Sequence, residues 1–133
     1  MSDEARVQIK TDVDIIIARQ EGRSLAAKLG FSNTDQTLIA TAISELARNI
    51  ILYAQSGEIS VFQAQKEDKP GIVIIARDDG PGISDVSRAM QDGYSTARGL
   101  GLGLPGVRRM MDEFEVVSKI SEGTTVTGKK WMR

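Results

Sequence analysis

The sequence predicts an α+β fold, a two-layer sandwich in which a mixed sheet carries its helices on one face. Three observations predict it. Two stretches of helical period follow one another near the amino terminus, two pairs of alternating stretches come later, and each pair is joined by a polar turn with no helix between its members. A doubly wound chain alternates strand and helix instead, so strands that follow strands imply a mixed or largely antiparallel sheet. With 133 residues the chain is expected to be a single domain, residues 1–133, burying about two-thirds of the surface its unfolded form exposes.

The elements follow in order. Residues 6–10 alternate, with Val7 and Ile9 on one side, and predict a short strand. Thr11 or Asp12 then suits the cap of a helix that runs to the Gly30 stop and carries Val13, Ile16, Ile17, Leu25, Ala26 and Leu29. Asn33 and Thr34 offer a second cap, ahead of the longest helix at residues 35–55, closed near Gly57. "EISVFQAQ" and "GIVIIARDD" alternate around the turn "KEDKPG" and predict a hairpin. After "DGPGI", residues 85–92 suit a short helix, residues 93–103 are rich in glycine, and Pro105 suits the first turn of a helix ending near Phe114. "EVVSKI" and "TTVTGKKWM", turning through "SEG", close the chain as a second hairpin.

Composition removes whole classes of chemistry. The chain has no cysteine and no histidine, so thiolate nucleophiles, disulfides and the commonest metal ligand and catalytic base are absent. Acid–base work falls to a carboxylate, a lysine or a tyrosine. The formal charge of −1 and the lack of long runs of one sign argue against a nucleic-acid partner. The polar start "MSDEARVQIK" and the lack of an apolar run of spanning length predict no membrane association and a cytoplasmic protein.

Two motifs match known patterns and fail on context. "GTTVTGKK", Gly123 to Lys130, puts Lys130 where a phosphate-binding loop needs Ser or Thr, and it alternates like a strand instead of opening a helix. "GLGLPG", Gly101 to Gly106, has the G-x-G-x-x-G spacing of dinucleotide folds without a buried strand before it. What remains is that Gly99, Gly101 and Gly103 let the backbone approach a ligand closely, just ahead of a helix amino terminus that favours an anion such as phosphate.

Glu45 and Asn49 in "SELARNI" are four residues apart, so on a helix they share a face with Leu38, Ala42, Leu46 and Tyr53. Taken singly, Glu45 suits a surface pair with Arg48 or a distant lysine, Asn49 the cap of a kink or a bond to a nearby loop, "DDGPG" a turn, and the glycine run a loop. Taken together and in order, these motifs resemble a family. "ELARN" looks like the N-box, Asp78-x-Gly80-x-Gly82 and Gly99-x-Gly101-x-Gly103 like the two glycine boxes, and "EGTTV" like the closing Gly-Thr strand of the GHKL superfamily, whose Bergerat-type ATP-binding fold serves gyrases, Hsp90-type chaperones, histidine kinases and MutL proteins. Within it, "TAISELARNI", "DGYST", "GLGLPGVRRMMDEF" and the "EGT…KW" ending are similar to the stressosome switch serine/threonine kinases, the RsbT type.

The resemblance implies a Mg-ATP-dependent kinase that phosphorylates STAS-domain antagonist and scaffold proteins and, once released, activates a PP2C-type phosphatase. It implies that Asn49 holds Mg²⁺, to which an amide oxygen is a hard ligand, and that Glu45, one turn earlier, accepts the proton of the incoming hydroxyl. Asp78 would accept from the exocyclic amine of adenine, with Gly80 and Gly82 leaving room for the base and Thr124 supporting the same edge. Gly99, Gly101 and Gly103 would wrap the phosphates as a lid, and Arg98 would meet the γ-phosphate or stay a solvated loop arginine. The chief rival is an anti-sigma factor whose partner binding depends on nucleotide. Two others are weaker: a gyrase-like hydrolase, which adds a transducer domain, and a histidine kinase, which needs a phosphoacceptor histidine.

Overall fold

A computed structural model describes residues 4–82 and 103–133. Its elements are β1 (Glu4–Ile9), α1 (Asp12–Leu29), α2 (Asn33–Ala54), β2 (Gly57–Lys66), β3 (Lys69–Asp78), α3 (Leu104–Met110), β4 (Glu113–Lys119) and β5 (Gly123–Trp131). The five strands form one sheet in the order β1-β2-β3-β5-β4. Every pairing in it is antiparallel, at the antiparallel end of the expectation from sequence. The helix expected at residues 85–92 falls outside the described residues.

Local chemistry sets the boundaries. α1 begins at Thr11, where the Asp14 carboxylate accepts from the backbone N–H of Lys10 at 2.9 Å and of Thr11 at 3.0 Å. These bonds hold the Asp14 carboxyl below its ordinary value. The helix ends on Gly30 in the left-handed region, as the sequence predicts. The cap of α2 is Ser32 and not Asn33 or Thr34: its hydroxyl accepts from the N–H of Asp35 at 3.1 Å, and Asn33 and Thr34 are already helical. The hairpin turn is only Glu67 and Asp68, because Lys66 already pairs with Lys69 and the backbones of Pro70 and Gly71 continue β3. α3 stops at Met110, and Phe114 belongs to β4, which pairs with β5 from Glu113 onward. Gly123 to Lys130 lies in β5, so the phosphate-loop spacing there is a strand.

One core joins the layers: Ile39, Ile43, Leu46 and Ile50 of α2 pack on Ile59, Val61, Ile72 and Ile74 of the sheet. α1 lies close on α2, with Gly22 so near Ile43 that a methyl group in its place would overlap the isoleucine. The buried residues of α1 are Ala18, Gly22, Leu25 and Ala26. Val13, Ile16 and Ile17, read from the sequence as helix apolar residues, point outward, with Val13 61% exposed. α2 also departs from expectation, being long and apolar enough, by length and composition alone, to cross a membrane. Here it is the core helix, packed on the sheet beside α1, with a polar site at its carboxyl-terminal half.

Candidate functional site

The cleft lies where the carboxyl-terminal half of α2 meets the ends of β3 and β5. Leu46, Asn49, Ile50 and Tyr53 of α2, Ala76 and Asp78 of β3, Pro81, Gly82, Leu104, Thr124 and Val126 line a space of about 480 Å³, counting its open mouth. Strand geometry explains the membership. Ala76 and Asp78 are two residues apart and share a face of β3, as Thr124 and Val126 do on β5, and Asp78 pairs directly with Thr124. Helix period does the same for Leu46, Asn49, Ile50 and Tyr53. The cleft is therefore apolar on most of its walls and polar where Asn49, Tyr53, Asp78 and Thr124 line it.

Asp78 is the better-fixed point. Its Oδ1 accepts from the backbone N–H of Gly80 at 2.9 Å and of Thr124 at 3.3 Å, so the carboxylate is oriented by main chain while Oδ2 takes no bond among the described residues. Thr124 shares a hydroxyl contact of 2.8 Å with Ser118, which in turn bonds the carbonyl of Gly123 at 3.2 Å. Gly80 and Gly82 answer to the protein's own packing: a methyl on Gly80 would stand 2.6 Å from Ala54 Cβ, and Gly82, at φ 81°, lies against the carbonyl of Lys119. Gly82 borders the cleft and Gly80 does not.

The opposite wall holds Asn49, whose side-chain oxygen is buried. Glu45 is one turn away at the rim rather than in the lining, with its side chain 32% exposed. Its Oε1 accepts from Arg48 at 3.0 Å, the local pair that sequence alone could not separate from a functional role. A methyl on Gly103 would come within 2.8 Å of Glu45 Oε2, so this carboxylate faces the backbone at the entrance to α3.

The cleft thus unites Asn49, Asp78, Gly82 and Thr124, with Gly103 and Glu45 beside it. Arg98, Gly99 and Gly101 lie outside the described residues. Sequence reasoning missed the apolar walls Ile50, Ala76, Leu104 and Val126, although the two-residue spacing to Asp78 and Thr124 carried the signal for the strand pair. The donor set suits Mg²⁺ in kind, since Asn49 offers a hard oxygen and an ion bound to phosphates needs only one or two protein ligands. Among the described residues no group of three or more His, Cys, Asp or Glu side chains clusters as a metal site.

The pocket lies between a helix and one end of an antiparallel sheet, and the sequence that builds it matches a family of ATPases. Residues 34–131 match the model of the histidine kinase-, DNA gyrase B- and HSP90-like ATPases, and the chain belongs to that family. Within the family it is similar over its whole length to a protein serine/threonine kinase: it is 53% identical over 133 residues to the serine/threonine-protein kinase RsbT of Bacillus subtilis, covering all of both chains. It is also 35% identical over 118 residues to the anti-sigma F factor of Halalkalibacterium halodurans, covering 85% of this chain and 81% of that protein. The anti-sigma F factor of Caldanaerobacter subterraneus is 32% identical over 121 residues, covering 86% and 83%.

Proposed function

We propose that this chain is a cytoplasmic Mg-ATP-dependent protein serine/threonine kinase of a partner-switching module. In this reading it phosphorylates STAS-domain antagonist and scaffold proteins and, once released from them, activates a PP2C-type phosphatase. The observation that carries the reading is the convergence of Asn49, Asp78 and Thr124, from three separate stretches of chain, on one cleft. The full-length similarity to a named serine/threonine kinase supports the choice of reaction.

Each residue then has a task its position favours. Asp78, held at Oδ1 by two backbone N–H groups, offers its remaining oxygen to the exocyclic amine of adenine, which guanine lacks at that position. Thr124 supports the same edge, and the apolar walls take the faces of the base. Asn49 would hold Mg²⁺, which when bound neutralises charge on the phosphates and orients them. Glu45 accepts the proton of a serine or threonine hydroxyl as that oxygen bonds to the γ-phosphorus and the bond to the departing ADP breaks. A positioned base of this kind is worth roughly 10²–10⁴ in rate. Gly103, and in the family pattern Gly99, Gly101 and Arg98, would attend the phosphates.

Radiolabelled ATP, incubated with the chain and a recombinant STAS-domain protein, tests the reading: label on a serine or threonine of the STAS protein is expected. Label released only as inorganic phosphate would make the chain a hydrolase. The anti-sigma F relatives favour a second reading, a nucleotide-dependent anti-sigma factor. A sigma subunit as the main protein captured from lysate, with no phosphorylated STAS protein, would select it.

A further inference from the structure

Lys130 is the charged residue buried among the described residues, only 7% exposed. β5 puts it there: Val126, Gly128 and Lys130 alternate onto the helix side of the sheet, where a lysine would normally be replaced by an aliphatic residue. Among the described residues its ammonium has two polar neighbours. Nζ donates to the carbonyl oxygen of Met110 at 2.8 Å and stands 3.9 Å from Asp35 Oδ1. Met110 is the last residue of α3, and Asp35 lies in the first turn of α2. The carbonyls at a helix end lack intrahelical donors and carry partial negative charge, so a cation placed there satisfies both.

What the ammonium joins is more informative than its burial. α2 carries Glu45 and Asn49, and α3 supplies the facing part of the site: Gly103 at its entrance lies against Glu45, and Leu104 lines the cleft. α3 is only seven residues long, about 10 Å, so an anchor at one end governs the position of the other. Leu104 and Val107 hold α3 to the core by apolar contact, which is non-directional. The bond from Lys130 is directional and acts on one carbonyl, so it fixes where along the core α3 sits.

With the kinase reading as its basis, we infer that Lys130 is a positioning residue for phosphoryl transfer: it ties α3 to α2 and so sets the spacing between the Gly103–Leu104 wall and the wall carrying Glu45 and Asn49. It touches neither nucleotide nor protein substrate. Burying an ammonium contributes little to stability compared with an aliphatic side chain of the same length, which leaves geometry as what the charge adds.

Lys130→Met keeps the stem and removes the donor. Transfer to a recombinant STAS-domain protein, adenosine affinity by calorimetry and thermal unfolding are measured on the wild type and the variant. The expected result is a kcat about 10- to 100-fold lower, since displacement by about 1 Å can cost that much, with the variant fully folded at the assay temperature and its adenosine affinity falling by less than kcat. Adenosine is held by Asp78 and Thr124 as well as by the Leu104 wall, so it senses the displacement less than phosphoryl transfer does. Lys130→Arg, which restores a cationic donor, is expected to recover most of kcat. A folded Lys130→Met with normal kcat overturns the role, and so does activity that falls only in step with the folded fraction. If Lys130→Met does not fold, Asp35→Asn serves instead: it is expected to lower the melting temperature, because the buried ammonium loses its counter-charge, and to lower kcat about two- to fivefold at a temperature where the variant is fully folded, and a normal kcat there overturns the role. A wild type that transfers no phosphate at all overturns the kinase reading itself, an outcome seen before any variant is made.

Discussion

The two ends of the central sheet use polar side chains in opposite ways. At the end away from the cleft, charged groups satisfy one another. Glu113 accepts from the Trp131 indole at 2.7 Å and from Lys66 at 3.1 Å, Asp112 accepts from the Trp131 backbone at 2.8 Å and from Arg133 at 2.7 Å, and Met132 bonds Pro70 at 2.9 Å. The Trp131 ring lies so close over Gly71 that no side chain fits beneath it, and Lys66 sits 5.7 Å from the ring centre. At the cleft end, among the described residues, Asp78 is held by backbone donors at Oδ1 alone. At one end the polar groups pair with one another around an open hollow lined by Lys66, Glu113 and Trp131, and at the other, among the described residues, Asp78 keeps an acceptor oxygen for a ligand, so stability and binding should respond to different substitutions.

The largest expected effect lies at the cleft. Glu45→Ala should lower phosphoryl transfer by about 10²- to 10⁴-fold while ATP affinity by calorimetry stays near wild type. Normal transfer in this variant would end the assignment of Glu45 as base. Next comes Asp78→Asn, which turns an amine acceptor partly into a donor. A loss of about 1.5–3 kcal/mol in a charge-assisted bond corresponds to roughly 10- to 150-fold weaker nucleotide binding, with the melting temperature of the free protein little changed. Asn49→Ala should weaken Mg-ATP more than adenosine, a contrast that titrations with both ligands would resolve.

The far end should answer in the reverse sense. Trp131→Ala removes a half-buried aromatic ring and its indole bond and should cost about 2 kcal/mol of stability, read from denaturant unfolding, with adenosine affinity unaltered. The smallest effect belongs to Glu113. Bonds from Trp131 and Lys66 hold its carboxyl below the ordinary 4.5, so its contribution is fully present above that value and is lost as pH falls through the lowered one. Wild type should therefore melt slightly above Glu113→Gln at neutral pH, and the gap should close in acid. A gap that widened on acidification would contradict the sign.

Much of this was legible in the sequence, for physical reasons that differ by element. Gly30 ends α1 because a left-handed residue after a helical run has few other uses, and the alternation of β2 and β3 around a polar turn specifies a hairpin locally. The placement of β5 between β3 and β4 is a long-range pairing that no local period encodes. Outward-facing Val13, Ile16 and Ile17 misled for a related reason: a period shows which residues share a face, not what covers it. In the site, the order of motifs marks Asn49, Asp78 and Thr124, but helix spacing alone does not choose Arg48 as the partner of Glu45, because a side chain distant in sequence can reach the same carboxylate. Lys130 had no distinguishing signal, because its significance depends on the end of α3 above it.

α2 places Asn49 between Leu46 and Ile50, two residues that belong at once to the hydrophobic core and to the wall of the cleft. Foldability and ligand selection are thus inherited through the same few codons. Variation at these positions would be filtered twice in evolution, whereas the outer faces of α1 and β4 are free to diversify toward new associates without retuning the chemistry.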